Sequence, residues 1–223
     1  MGVLYIVATP IGNLKDITLR AVETLKAVDL VVCEDTRVFG KLANEYGVDK
    51  PTFVLNDFNE AVKVDQLIKR LQDGDNLALV SDAGTPLVSD PGFKLVREAV
   101  AGGVKVESIP GPTAAIAALT VSGLPCDKFM FVGYLSKKDG QRKTVLMNLK
   151  SIREILKTTF IIYESPFRLV KTLESIKEVF GDIEVVICRE LTKMHEETRR
   201  EKISACIQNF LENTPKGEFI LLL

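Results

Sequence analysis

Short apolar runs alternate with helical patterns along the whole chain. Leu4–Ala8, Leu30–Cys33, Thr52–Leu55, Leu77–Val80 and Val104–Ile109 have the length and branching of buried strands. Phe129–Val132, Phe160–Tyr163, Val185–Cys188 and Phe219–Leu222 repeat that pattern later in the chain. Helical spacing fills the gaps. Ala21, Val22, Leu25 and Val28 mark a helix over 17–28, and a second is capped by Asp35 and stopped near Gly47. Val64, Leu67, Ile68 and Leu71 share one face of a helix over 59–72. Asp90 as N-cap and Pro91 at the first helical position open the next, which ends at Gly102-Gly103. A helix of small residues runs from Ala114 to Leu119. Gln141–Leu149, Phe167–Phe180 and Ile203–Leu211 complete the set. Such alternation predicts an α/β fold with mainly parallel sheets covered on both faces. Nine strands are many for one sheet, so two α/β lobes are expected, residues 1–115 and 116–223.

Composition narrows the classes of function. The chain has 223 residues, 46% apolar and 26% charged, with a net charge of −1. That balance suits a globular protein with a core and gives no overall signal for nucleic acid or membrane. A polyanionic partner would need a local basic patch, and Lys137, Lys138, Arg142 and Lys143 are the one such cluster that stands out. Cys33, Cys126, Cys188 and Cys206 are far apart and there is a single histidine, His195. No zinc spacing exists, so no metal is expected, and the thiols read as buried and reduced in a cytoplasmic protein. The first residues run straight into a strand, and the longest weakly polar stretch, Thr113–Val121, is too short to span a bilayer.

The turns that follow the strands carry the chemistry. Ser81-Asp82-Ala83-Gly84-Thr85-Pro86 follows an apolar run and is rich in Gly, Pro and Asp. It lacks Gly-x-Gly-x-x-Gly and Gly-Lys-Ser/Thr, so neither a nicotinamide site nor an ATP-binding P-loop is indicated. Thr9-Pro10-Ile11-Gly12-Asn13, Glu34-Asp35-Thr36-Arg37 and Pro110-Gly111-Pro112-Thr113 occupy equivalent places, as do Glu164-Ser165-Pro166-Phe167-Arg168 and Arg189-Glu190-Leu191-Thr192-Lys193. In a parallel sheet such turns emerge on one edge, where small ligands bind. Each turn has a plain structural reading too. Asp35 caps a helix with or without a ligand, and Glu164 and Arg168, four apart, can pair on a helix surface. A lysine run is usually solvated, and His195 sits in a charged, surface-like context.

Taken together the turns resemble a known family. Ala8-Thr9-Pro10-Ile11-Gly12-Asn13-Leu14, Asp16-Ile17-Thr18-Leu19-Arg20, Glu34-Asp35-Thr36-Arg37 and Ser81-Asp82-Ala83-Gly84-Thr85-Pro86 are followed by Pro110-Gly111-Pro112, Glu164-Ser165-Pro166 and Arg189-Glu190-Leu191-Thr192-Lys193. Their order and spacing are similar to those of the bacterial 16S rRNA 2′-O-ribose cytidine methyltransferases I. These belong to the tetrapyrrole methylase-like superfamily of class III methyltransferases, and the likeness covers essentially the whole chain. It implies a cleft between two lobes that holds S-adenosyl-L-methionine, a homodimer, and 16S rRNA within the small ribosomal subunit as partner.

Site residues follow from the same resemblance. Pro10 and Gly12 would floor the first lobe's part of the cleft. Asp82, Ala83, Gly84 and Thr85 would hold the cofactor through main-chain groups, flanked by Thr113 and Ala114. Tyr163, Leu191 and Gly217 would contact it from the second lobe. Asp35 and Glu164 are the candidate catalytic groups, with Asp82 expected to orient cofactor or loop. Arg37, Arg168 and the cluster Lys137, Lys138, Arg142 and Lys143 are candidates for RNA phosphate. The chain departs from many members in having no histidine at Asp57 or Phe58, and in stopping at Leu223 where many continue into a helical extension. Two other readings stand beside this one: a methyltransferase acting on a tetrapyrrole or other small molecule, and a non-catalytic ribosome- or nucleotide-binding module.

Overall fold

The computed structural model describes residues 1–56 and 58–223; the departure at Asp57 lies outside the described residues. The chain forms two compact units, Met1–Thr113 and Ala114–Leu223.

Among the described residues of the first unit, five strands alternate with four α-helices. They are β1 (Val3–Val7), α1 (Leu19–Ala27), β2 (Leu30–Cys33), α2 (Thr36–Tyr46), β3 (Thr52–Val54), α3 (Glu60–Asp73), β4 (Leu77–Leu79), α4 (Phe93–Ala101) and β5 (Lys105–Ile109). The sheet order is β3-β2-β4-β1-β5 and every pair is parallel. Strand periodicity sorts the side chains onto two faces. Leu30, Val32, Leu77 and Leu79 meet Val64, Leu67, Leu71 and Leu95 of α3 and α4. Val31, Cys33, Ala78 and Val80 meet Ala21, Leu25, Phe39 and Leu42 of α1 and α2. Burial on both faces is why these strands read as unbroken apolar runs.

The helix ends follow local chemistry. The Asp35 side chain accepts from the Arg37 N–H as N-cap of α2, and Gly47 closes that helix in the left-handed region. The expected start of α4 at Asp90-Pro91 is displaced: the helix begins at Phe93 after Gly92, whose φ is 118°. A Cβ on Gly92 would lie 2.6 Å from Leu79 Cδ2. The left-handed backbone at Gly92 interrupts a helix begun at Asp90, and the close approach to Leu79 leaves no room for a side chain at that position.

The second unit holds α5 (Ala114–Ser122), β6 (Phe129–Tyr134), α6 (Asp139–Ile155), β7 (Thr159–Glu164), α7 (Leu169–Phe180), β8 (Glu184–Arg189), β9 (Glu197–Lys202), α8 (Ile203–Glu212) and β10 (Phe219–Leu222). The sheet order is β6-β7-β10-β8-β9. Here the expectation of mainly parallel strands is corrected. β6–β7 is parallel, but β10 is antiparallel to both β7 and β8, and β8 is antiparallel to β9. The cause is one strand that hydrophobicity cannot reveal. β9 is Glu-Thr-Arg-Arg-Glu-Lys at the sheet edge, where charge is tolerated and discourages pairing with other chains. Because β9 reverses the chain, the crossover through α8 returns β10 antiparallel to β8.

One face of this sheet, with Phe160, Ile162, Val185, Ile187, Phe219 and Leu221, packs on α6, α7 and α8. α5 covers β8, β9 and β10 on its side. Its buried residues are Ala115, Ala118, Leu119 and Ser122, small enough for close approach to the sheet. Cys33, Cys188 and Cys206 are buried as expected; Cys126 is exposed in the segment before β6, which corrects the expectation for that thiol.

Phe160 is fully buried in the second unit. Phe160→Ala is expected to cost about 3–5 kcal/mol through reduced transfer energy and a cavity. The check is the urea midpoint of the full chain.

Candidate functional site

The loops at the carboxyl ends of β1, β2, β4 and β5 are laced into one rim in the first unit. Thr9 N–H donates to Gly84 O at 2.8 Å and Gly84 N–H returns to Thr9 O at 3.1 Å. The buried Thr9 hydroxyl reaches Ser81 O at 3.2 Å, and the buried Ser81 hydroxyl reaches Gly84 O, also at 3.2 Å. Thr85 Oγ1 donates to Pro112 O at 3.0 Å, and Asp35 N–H donates to Asp82 Oδ1 at 3.2 Å. Turns remote in sequence thus converge, as a switch in strand order requires. Thr9 and Ser81 lie inside the sequence motifs, but residue type and spacing assign them no role. Only the fold shows that their hydroxyls are the rim's internal ties.

Backbone strain gathers in the same loop. Gly84, Leu87, Ser89 and Gly92 have φ values of 84°, 74°, 67° and 118°. Non-glycine residues held there cost energy and mark places where geometry has been imposed by the surroundings. Gly84 has a second constraint, because a Cβ there would lie 3.2 Å from Ile11 Cγ2. Among the described residues, the N–H groups of Asp82 and Ala83 meet no protein acceptor, and both residues are exposed. The candidates Asp82, Ala83, Gly84 and Thr85 therefore form a glycine-containing main-chain cradle; of the other candidates in this unit, Pro10 is buried and Gly12 is exposed. Such a cradle fits a ligand recognised by hydrogen bonds to main-chain groups. Thr113 ends this unit in a half-buried position.

The two rim carboxylates differ. Asp35 is gripped by Arg37, with Nε at 3.0 and 3.1 Å from the two oxygens and Nη2 at 2.5 Å from Oδ2. That grip, with the main-chain donor of Arg37, holds the Asp35 carboxyl down at about 2 and raises the guanidinium. Asp82 moves the other way: partial burial raises it, and the neighbouring charge of Asp35 adds to that. Burial pushes the Cys33 thiol up to about 11, with Asp82 and Asp35 contributing. A carboxylate held near 2 is a weak proton acceptor, so the rim's geometry favours Asp35 as the orienting partner of Arg37.

In the second unit, Glu164 ends β7 and is 1% exposed. Its oxygens accept from Ser165 N–H at 2.8 Å and from the Thr172 hydroxyl, and Arg168 Nε lies 3.3 Å away. Arg168 in turn donates to Leu135 O. The carboxylate is thus enclosed and satisfied, and acts as a clamp between β7, α7 and the loop after β6. This corrects its candidacy as a proton acceptor. Arg142 is corrected as well: it is buried, donating to Ser175 Oγ at 2.9 Å and to Asp139 at 2.6 Å, so it is no phosphate contact. Lys143 is held by Glu178 at 2.7 Å and by Asp139 at 3.2 Å. Lys137 and Lys138 are exposed and have no ion pair among the described residues.

Tyr163 is half-buried, its hydroxyl accepting from Ala115 N–H at 3.1 Å, next to Ala114 at the start of α5. Leu191 is buried between Glu190 and Thr192, whose φ values of 50° and 64° are unusual for their side chains. Glu190 Oε1 accepts from Glu218 N–H at 2.9 Å, and a Cβ on Gly217 (φ 97°) would lie 2.6 Å from Glu190 Cγ. Motif spacing alone gives Glu190 no role. The fold does: it welds the turn after β8 to the turn before β10. His195 is exposed, in keeping with a surface residue.

The Asp35 pair has a direct test. A carboxyl depressed in the fold contributes stability above its unfolded value, and that contribution fades as pH falls through the folded value. The window here runs from the ordinary carboxyl value of 3.8 down to about 2. Carbon-detected NMR titration is expected to place Asp35 near 2, and Arg37→Ala to move it toward 3.8.

A family model, tetrapyrrole (corrin/porphyrin) methylases, matches residues 3–206. Ribosomal RNA small subunit methyltransferase I of Mesorhizobium japonicum is 50% identical over 220 residues, covering 98% of this chain and 74% of that protein. The protein of the same name from Thermotoga maritima is 44% identical over 223 residues, covering 100% of this chain and 98% of its own. Among solved structures, diphthine synthase aligns over 100% of this chain and 90% of its own with a TM-score of 0.78 at 16% identity. Uroporphyrin-III-C-methyltransferase from Thermus thermophilus aligns over 100% and 94% with a TM-score of 0.65 at 19% identity. At those identities the two structures speak for the fold alone.

Proposed function

The chain belongs to the tetrapyrrole methylase family, and within it to the ribosomal RNA small subunit methyltransferases I; from that premise we propose that it transfers a methyl group to the 2′-hydroxyl of a cytidine ribose in 16S rRNA. It is an S-adenosylmethionine-dependent methyltransferase. The observation that carries the reading is full-length likeness, at 44–50% identity in these two relatives, to proteins named for small-subunit rRNA methylation. The named relatives make ribosomal RNA a stronger substrate reading than a tetrapyrrole, whose methylases share the fold at 19% identity. We further propose a homodimer acting in the cytoplasm on the small ribosomal subunit; among the described residues no helix is long and apolar enough to cross a membrane.

S-adenosylmethionine supplies an electrophilic methyl on a sulfonium centre. This chain's part is to hold, align and deprotonate. In the first unit the proposed cofactor contacts are the main-chain cradle Asp82–Thr85 with Pro10, Gly12 and Thr113. In the second they are Ala114, Tyr163, Leu191 and Gly217. The ribose hydroxyl is a weak acid and needs its proton accepted as the bond to carbon forms. Asp82 is our choice of acceptor, because Asp35 is committed to Arg37 and Glu164 is enclosed. Arg37 presents a guanidinium that is 88% exposed, with Nη1 outside the Asp35 pair, as a phosphate contact near the reacting ribose. Fixing nucleophile and acceptor in line can supply about 7–11 kcal/mol of the barrier, and a positioned base about 10²–10⁴-fold.

The deciding experiment is transfer of labelled methyl to small ribosomal subunits lacking the modification, with the labelled position mapped. Label on a 2′-hydroxyl of 16S rRNA supports the proposal; label on a porphyrinoid substrate alone sinks it. Asp82→Asn keeps an acceptor for Asp35 N–H and leaves the main-chain cradle in place. It is expected to lower kcat at least about 10²-fold while calorimetry finds cofactor affinity within about threefold. Arg37→Ala is expected to weaken subunit methylation far more than cofactor binding; equal loss of both would contradict the phosphate role.

A further inference from the structure

We propose that Phe167 is a stacking platform for an unpaired base of the RNA substrate, flanked by a lysine track that meets the adjoining phosphates. The inference rests on the RNA-methylation reading and adds to it a site in the second unit.

Phe167 is 93% exposed, which is unusual for a phenylalanine in a well-packed domain. It does not lie on a wandering loop. Residues 165–168 form a β-turn closed by Arg168 N–H on Ser165 O at 3.1 Å, with Pro166 at the second position, where proline stiffens the chain. The buried Glu164 clamps both ends, through Ser165 N–H and through Arg168. An aromatic ring on a turn fixed in this way gives up little freedom on meeting a flat partner. Folding alone gives no reason to rigidify an apolar side chain in water.

The surroundings identify the partner. Arg168 also donates to Leu135 O, and Arg142 Nη1 reaches Ser136 O and Lys137 O, each at 3.4 Å. These ties draw the loop after β6 to the start of α7. The loop brings Lys137 and Lys138, and the first turn of α7 brings Lys171. All three lysines are exposed and have no ion pair among the described residues, whereas Arg142, Lys143 and Arg168 are each neutralised by a carboxylate. β6, which precedes that loop, shifts register against β7 between Phe131 and Gly133. An exposed ring on a turn tied to a loop that carries unneutralised lysines matches a single-stranded nucleotide, with its π-face for the ring and its phosphates for the cations. An apolar protein partner would not call for the lysines.

The test uses the full chain, small ribosomal subunits lacking the modification and a mixed-sequence single-stranded RNA oligonucleotide. Phe167→Ala is expected to weaken binding of both RNAs by between about fivefold and a hundredfold. Its urea midpoint and calorimetric cofactor affinity should stay unchanged. Phe167→Trp is expected to restore binding and Phe167→Leu is not. The salt dependence should keep its slope in Phe167→Ala and become shallower in Lys137→Ala/Lys138→Ala, by about 0.7 for each phosphate that the lysines no longer neutralise. Three results would each overturn the platform: RNA affinity within twofold in Phe167→Ala, full binding by Phe167→Leu, or a change of sedimentation state with RNA binding intact. The last would mean that the ring covers a second copy of the chain. If wild type bound RNA with this pattern yet labelled no ribosomal RNA, the platform would stand and the proposed reaction would fail.

Discussion

The reciprocal pair of main-chain hydrogen bonds between Thr9 and Gly84 is the tie on which the first unit's site depends. It joins the loop after β1 to the loop after β4, neighbouring strands that lie far apart in sequence. The other ties radiate from it. Thr9 and Ser81 place their hydroxyls beneath the turn, Thr85 extends it to Pro112, and Asp82 extends it to Asp35. A glycine is required at its centre, because the backbone there is left-handed and Ile11 fills the space a side chain would take. The positive φ values of Leu87 and Ser89 fall in the same loop, and among the described residues the N–H groups of Asp82 and Ala83 meet no protein acceptor.

The second unit solves a similar problem by burying charge. Glu164 is sealed from water at the end of a strand, and an unpaired carboxylate there would be costly. Its partners come from the following turn and from α7, so satisfying the charge also fixes the geometry of Ser165–Arg168. Arg142 does the same for the loop after β6, bonding Ser175 and two main-chain oxygens. Buried ionic groups of this kind add little net stability over an apolar packing, but they define one arrangement. Here that arrangement presents Phe167 on a fixed turn and ties that turn to the loop that carries Lys137 and Lys138.

Much of the architecture is legible in the sequence because strands buried on both faces must be continuous apolar runs. The first unit's strand runs, the Asp35 cap and the Gly47 stop follow directly from residue type. β9 is illegible for the opposite reason. An edge strand needs no apolar side chains, and six residues rich in Glu, Lys and Arg give no strand period. Without that strand the inferred direction of β10 is reversed. Motif spacing points to the Asp82–Thr85 turn as a candidate, although glycine and aspartate after a strand also serve ordinary turns. It does not separate Asp35 from Asp82 or reveal that Glu164 is enclosed, because those differences come from neighbours contributed by other elements. Arg142 shows the same limit: a basic run in sequence is split by helix periodicity into an inward arginine and outward lysines.

That division bears on how a chain of net charge −1 can handle a polyanion. Overall charge sets long-range attraction, but charge–charge energies fall off over roughly 8–10 Å in physiological salt. What matters at close range is which cations have carboxylate partners. Lys143, Lys193 and Arg199 are each within reach of two carboxylates, so a phosphate would have to compete with them. Arg37 differs, because its single partner leaves Nη1 outside the pair while fixing the direction of the guanidinium. Among the described residues, Lys137, Lys138 and Lys171 have no carboxylate partner to displace. RNA binding of the proposed kind would thus depend on a few such cations and on shape, and not on overall charge.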